Sequence, residues 1–270
     1  MTIFNSVFTT VYSLVIVGIL GACMGSFICC LSWRMLNGES VINGRSHCDS
    51  CGHTLSVRDL VPIVGFVLNK GKCRYCGEKL SPIMPVSEAI CAVSFVLITL
   101  KYDLSLTLIE YLCLACILLG CACADYMEYI IPDGYILAAV ILRLIFICFS
   151  GDAAEQLILS FIGGSSVSAV MLIMAVVGEK LLKKRMIGGG DIKLLFATGL
   201  YFGWIANLLC LMISCITGIV FGLTTGKRSD GTDVKPVGAF PWGPSISLSA
   251  LTVILVGDKI IAWYMNIWGI

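Results

Sequence analysis

Two cysteine pairs carry the most specific chemical signal in the chain. Cys48-Asp49-Ser50-Cys51 and Cys73-Arg74-Tyr75-Cys76 are separated by 21 residues, close to the spacing of a zinc ribbon. A CxxC turn aims two thiolates at one tetrahedral ion, and Gly52 and Gly77, directly after the pairs, suit the turn backbone. Arg45, Lys72 and Arg74 nearby favour the thiolate form. The alternatives are two disulfides, or a ligand role for His47 or His53, which flank the first pair. Four ligands close a coordination shell, so an ion held by Cys48, Cys51, Cys73 and Cys76 is structural rather than catalytic. The other eleven of the fifteen cysteines lie in apolar stretches, where cysteine acts as a small hydrophobe.

Acids form the second group. Asp125 ends an apolar stretch in Ala124-Asp125-Tyr126-Met127-Glu128, Asp133 follows Pro132, and Asp191 follows Gly188-Gly189-Gly190. A carboxylate costs about 2.5–3.5 kcal/mol at the centre of a membrane helix, so acids beside such helices are functional candidates. Two carboxylates from separate helices, a few ångströms apart, hold one proton between them. The ionised partner activates a water, and the protonated partner polarises a scissile amide. Glycines 188–190 give an extended peptide a backbone to approach closely. The competing explanation is that Asp133 and Asp191 merely cap helix N-termini. Other schemes lack their residues: both histidines belong to the cysteine loop, and no HExxH, Walker A or GxGxxG pattern occurs.

These groups must be positioned by helices in a bilayer. Of the 270 residues 58% are hydrophobic and only 13% charged, against about 25% charged in soluble domains. The mean hydropathy is +0.97, and a net charge of +1 gives no reason to expect nucleic acid. Met1–Trp33 carries no charge and lacks the basic start of a signal peptide. It predicts a first span near 11–32, followed by spans near 86–100, 104–124, 131–149, 156–178 and 244–257. The uncharged run from Leu194 to Gly226 would be about 50 Å of helix, too long for one crossing. Splitting it at Gly199–Trp204 predicts about eight transmembrane helices. With the N-terminus outside, segments 34–85, 126–130, 179–193 and 226–241 lie inside and hold 15 of the 18 Lys and Arg residues. Both termini are then outside, and the cysteine loop is cytoplasmic and reducing, which favours zinc over disulfides. The last inner segment is polar and ends in a Pro/Gly cluster, Pro241-Trp242-Gly243-Pro244. No internal repeat, heptad or low-complexity tract is evident. The expected class is an all-α polytopic membrane protein. Its parts are a first helix (1–33), a cytoplasmic zinc-binding loop (34–85) and a transmembrane core (86–270).

The residues taken together resemble the bacterial type IV prepilin peptidases, GxGD-type membrane aspartic proteases. The resemblance rests on Gly25-Ser26-Phe27 with Arg34, and on Cys48, Cys51, Pro62, Gly71, Cys73, Arg74 and Cys76 with Pro85 and Glu88. It continues through Asp125 followed by Pro132-Asp133, Gly188–Asp191 as the GxGD, and Pro241, Gly243 and Pro244. Asp49 departs from the proline common in the family, and Ser32-Trp33 from its usual aliphatics. The resemblance implies that Asp125 and Asp191 are the catalytic pair, with Asp133, Glu128 and Gly188–Gly190 in supporting or substrate-positioning roles. It implies an inner-membrane enzyme that cuts the short basic leader of a prepilin or pseudopilin at the cytoplasmic face. Members with the four-cysteine loop typically also methylate the new N-terminus from S-adenosylmethionine. Two other classes use such acids: a polytopic transporter with a proton or cation site, and a related GxGD peptidase with another substrate.

Overall fold

The computed structural model describes residues 7–40, 44–183, 187–225 and 241–269. Eight helices account for the regular structure among them: α1 (Val7–Asn37), α2 (Val64–Leu68), α3 (Ile83–Tyr102), α4 (Leu106–Glu128), α5 (Asp133–Cys148), α6 (Ala153–Leu182), α7 (Gly189–Thr225) and α8 (Gly243–Trp268). Strand-like pairing is limited to two bridges, His47 with Thr54 and Lys72 with Lys79. Of the helices, α1, α3, α4, α6, α7 and α8 are long and apolar enough to cross a bilayer, six in all. The protein is a multi-pass membrane protein.

Two features relate these six to the eight expected segments. The first is α5, which is apolar but has only 16 residues. The second is α7, which is not one straight rod: at Gly203 the backbone leaves the helix, with φ 73° and ψ 177°. Thr198 Oγ1 donates to Asn207 Oδ1 at 3.0 Å across nine positions. On a straight helix those residues would lie about 13 Å apart. The chain therefore turns back at Gly203, within the expected 199–204 turn. Glycine suits it, because the left-handed region burdens any residue with a Cβ.

Asn207, fully buried, joins the two arms of the turn. Its Nδ2 donates to the carbonyls of Leu195 (3.0 Å) and, on α6, of Gly163 (3.4 Å). A Cβ on Gly199 would lie 2.7 Å from the Gly164 Cα, so α6 and α7 cross with backbones in contact. Tyr201 ties the same turn to α5, its hydroxyl donating to the Ala139 carbonyl at 2.7 Å. Arg143, the one base placed inside a span by the sequence, is held in α5 by Ser160 Oγ (3.1 Å) and Gln156 Oε1 (3.4 Å) of α6.

The chain divides into two compact units, Met1–Cys123 and Ala124–Ile270, with the division inside α4. In the first unit α1 packs on α3 through Gly21 and Gly25. A Cβ at either would lie 2.9 Å or less from an α3 Cα, that of Ala92 or of Glu88, so this is a small-xxx-small contact. Buried Ser32 joins α1 to α4 by donating to the Gly120 carbonyl at 3.2 Å. Arg34, just beyond it, binds the carbonyls of Ser40 (3.3 Å) and Gly44 (3.4 Å), anchoring the start of the cysteine loop. The expected polar loop after residue 225, including Lys227, Arg228 and Lys235, lies outside the described residues, as do Lys184 and Arg185.

Candidate functional site

Within the second unit, the end of α4, the linker after it and the first turns of α5 and α7 converge on one cavity of about 190 Å³. Its walls include Asp125, Tyr129, Ile131, Asp133, Asp191 and Lys193. α4 stops where Tyr129 takes φ 57° and donates its N–H to the Asp125 carbonyl at 2.9 Å. Pro132 is extended (φ −62°, ψ 132°), so the short linker carries Ile131 and Asp133 to the cavity wall. The structure thus brings together the three aspartates singled out by the sequence.

Asp125 is buried, 6% exposed. Its Oδ2 accepts the Gly243 N–H at 2.7 Å. Gly243 is the first residue of α8, whose leading N–H groups have no partner within the helix and which presents a positive dipole end. A Cβ at position 243 would sit 2.9 Å from both the Cβ and Oδ2 of Asp125, so no larger residue fits. The preceding Trp242 is pinned by its indole N–H to the Ser214 carbonyl at 3.1 Å.

Asp191 lies in the first turn of α7, lines the same cavity as Asp125, and has its carboxylate against the Gly188 backbone. The three glycines before it differ in use. A Cβ on Gly188 would press on Asp191 Oδ2 at 2.7 Å, one on Gly190 would meet the Ile131 Cβ at 3.1 Å, and one on Gly189 would meet nothing within 4 Å. At the cavity edge Lys193 Nζ pairs with Asp133 Oδ1 at 2.6 Å, both side chains exposed. Glu128 is exposed at the end of α4 and is not among the residues lining the cavity. Two carboxylates lining one cavity, one of them held by a backbone N–H, suit water activation and amide protonation.

The four cysteines of the first unit also converge. The Sγ atoms of Cys48, Cys51, Cys73 and Cys76 all lie within 4.8 Å of one another, and Cys48 and Cys76 are 3.9 Å apart. Zn–S bonds of about 2.3 Å in a tetrahedron place sulfurs about 3.8 Å apart, so the donor set fits zinc. Each pair sits on the same turn. Cys48 donates its N–H to the His53 carbonyl and Cys73 to that of Glu78, while Gly52 and Gly77 return N–H bonds to the Cys48 and Cys73 carbonyls. Both glycines have positive φ, 68° and 75°. Backbone N–H groups of Cys76 and then Tyr75 hold the Cys73 thiol down at about 7. The histidines stay outside this cluster: His53 lies on Tyr75 with ring centroids 3.7 Å apart, and His47 packs edge-on to Trp33.

Two features escaped the sequence. Gly243 was visible as part of the Pro/Gly cluster and of the family resemblance but without a role, and its N–H reaches an acid 118 residues earlier. The paired turns are an internal repeat, Cys-x-x-Cys-Gly-x-x-Leu, at Cys48–Leu55 and again at Cys73–Leu80. That repeat was legible in the residues themselves.

Residues 19–102 match the bacterial peptidase A24 N-terminal domain, and residues 112–223 match the type IV leader peptidase family. A prepilin leader peptidase/N-methyltransferase of Bacillus subtilis (strain 168) is 28% identical over 252 residues, 92% of this chain and 96% of the relative. One of the same name from Pseudomonas putida is 28% identical over 83% of this chain and 76% of its own. A type 4 prepilin-like proteins leader peptide-processing enzyme of Escherichia coli O78:H11 (strain H10407 / ETEC) is 26% identical, covering 87% and 90%. No solved structure matches.

Proposed function

We propose that this chain, which belongs to the type IV leader peptidase family, is an aspartic endopeptidase of the bacterial inner membrane that removes the basic leader of a prepilin or pseudopilin. The observation that carries the proposal is the cavity shared by Asp125 and Asp191. In the proposed reaction one aspartate is ionised and removes a proton from a bound water. The water oxygen adds to the scissile carbonyl carbon while the other, protonated aspartate donates to the carbonyl oxygen. Collapse of the tetrahedral intermediate breaks the C–N bond, and the amine leaves with a proton from the dyad. The Gly243 N–H occupies Oδ2 of Asp125 and leaves Oδ1 to the water. Gly188–Gly190 give the extended peptide room beside Asp191, and Asp133 with Lys193 shapes the rim. Glu128, outside the cavity lining, has no direct part in this scheme.

The four-cysteine module goes with N-methylation of the new N-terminus, the second activity in the names of the B. subtilis and P. putida relatives. S-adenosylmethionine is the implied donor. The described residues assign it no site. Zinc at Cys48, Cys51, Cys73 and Cys76 would close the two turns onto each other, a structural contribution. The orientation follows the basic residues, with the zinc module cytoplasmic and both termini outside.

The test uses membrane vesicles of both orientations and an added prepilin. Inverted vesicles should cleave it and right-side-out vesicles should not. Asp125→Asn and Asp191→Asn should each lower the rate by at least about 100-fold, the usual worth of a general acid or base. Full processing by either variant would sink the dyad, and cleavage by sealed right-side-out vesicles would reverse the orientation.

A further inference from the structure

Between the two cysteine turns, residues 56–69 form a loop closed at its base by Asp59. Its carboxylate accepts from Ser56 N (3.1 Å) and Oγ (2.6 Å), from Asn69 Nδ2 (3.3 Å) at the far end, and from Tyr75 Oη (3.3 Å). Inside the loop the backbone crosses itself: a Cβ on Gly65 would lie 2.5 Å from the Asp59 carbonyl oxygen. Backbone fills the interior, so the side chains point out, and only Gly65 of α2 is buried.

Those side chains are aliphatic. Val57 is 77% exposed, Leu60 and Val61 43%, Val64 50%, Val67 65% and Leu68 73%. With Ile63, 36% exposed, seven large aliphatics within twelve residues form an exposed apolar patch of the kind that marks an interaction surface.

One hydrogen bond fixes the depth of the patch. Glu88, 6% exposed in the second turn of α3, accepts the Ile63 N–H on Oε2 at 2.6 Å. Ile63 meets it with φ 61°, a costly backbone state for a β-branched residue, so the loop is held there against local preference. α3 is a membrane-spanning candidate whose Met84, Val86 and Ile90 are 42%, 52% and 45% exposed. Ile63 is thus level with a point about 7 Å along α3, where that helix already turns apolar side chains outward. Exposed Arg58, Lys70 and Lys72 flank the aliphatic segment, and their charge suits lipid phosphates.

We propose that residues 57–68 are a membrane-docking element whose aliphatic face enters the boundary between lipid headgroups and acyl chains beside α3. Arg58, Lys70 and Lys72 lie at phosphate level, and the cysteine module is thereby held against the bilayer surface. The segment is monotopic: it enters and leaves on one side.

The test places a diazirine photo-crosslinking side chain at Val67 or Leu68 of the full chain in nanodiscs of phosphatidylethanolamine and phosphatidylglycerol, with adducts identified by mass spectrometry. Ile90 on α3 is the lipid-facing reference and exposed Glu78 the aqueous one. Phospholipid adducts at Val67 and Leu68 should fall within about threefold of Ile90 and exceed Glu78 about tenfold, as for a segment seated in the interface. Yields no higher than at Glu78 overturn the proposal. So do adducts formed mainly with added prepilin, which would make the face a protein-binding surface. In a second variant the crosslinker is at Val64 and V67E and L68E are combined. With the metal content of the parent chain retained, its lipid yield should drop about tenfold, and an unchanged yield counts against docking.

Discussion

At the scale of single residues, the most consequential partner of Asp125 has no side chain. The Gly243 N–H reaches its Oδ2, and any Cβ at that position meets the acid at 2.9 Å. Gly243→Ala should therefore displace the carboxylate without disturbing the apolar packing around it. The expected outcome is a fall in kcat of about 100-fold, the scale on which small misplacements act, with little change in KM or in the thermal unfolding midpoint of the purified protein. A variant that unfolds several degrees earlier, or one with normal kcat, would remove Gly243 from the catalytic geometry. The acids and cysteines themselves were legible because residue type declares them: a chain with 13% charged residues offers few carboxylates, and CxxC is rarely accidental. Gly243 was not, because a backbone donor carries no signature of its type. The distinct uses of Gly188, Gly189 and Gly190 were hidden for the same reason.

At the scale of elements, the fold depends on how α7 reverses. Length alone showed that the run from Leu194 to Gly226 could not be one crossing. It did not show that Asn207 would close the turn, since an asparagine in an apolar stretch is equally consistent with a surface position. Asn207→Leu removes two donated bonds and one acceptor of the Thr198 hydroxyl, which keeps the Leu195 carbonyl at 3.1 Å. It should cost about 1–2 kcal/mol, the range for hydrogen bonds between membrane helices. Denaturant titration in mixed micelles measures this, and a variant as stable as the parent would show that the turn is held by the glycine contacts of α6 and α7 alone. The cysteine turns present the opposite case. Their spacing announced a metal site, while their repeat, plain in Cys48–Leu55 and Cys73–Leu80, went unread because the residues between the cysteines differ.

At the scale of the whole molecule, the metal donors and the acid cavity belong to different compact units, Met1–Cys123 and Ala124–Ile270. Loss of metal should therefore not abolish cleavage. The purified protein is expected to hold about one zinc per chain, and Cys73→Ser to lose it, as four-coordinate structural sites do when a ligand is removed. Asp-dependent cleavage should persist at least in part, measured alongside zinc content by elemental analysis. A metal-free variant without any peptidase activity would tie the two units together. Scarcity of charge identified the membrane class, but not which helix end would hold Asp125. That hold has a consequence in time. Asp125 leaves the ribosome 118 residues before the N–H that fixes it, on the order of ten seconds at about 5–20 residues per second. Until α8 is made, the nascent chain carries Asp125 without the N–H that holds it.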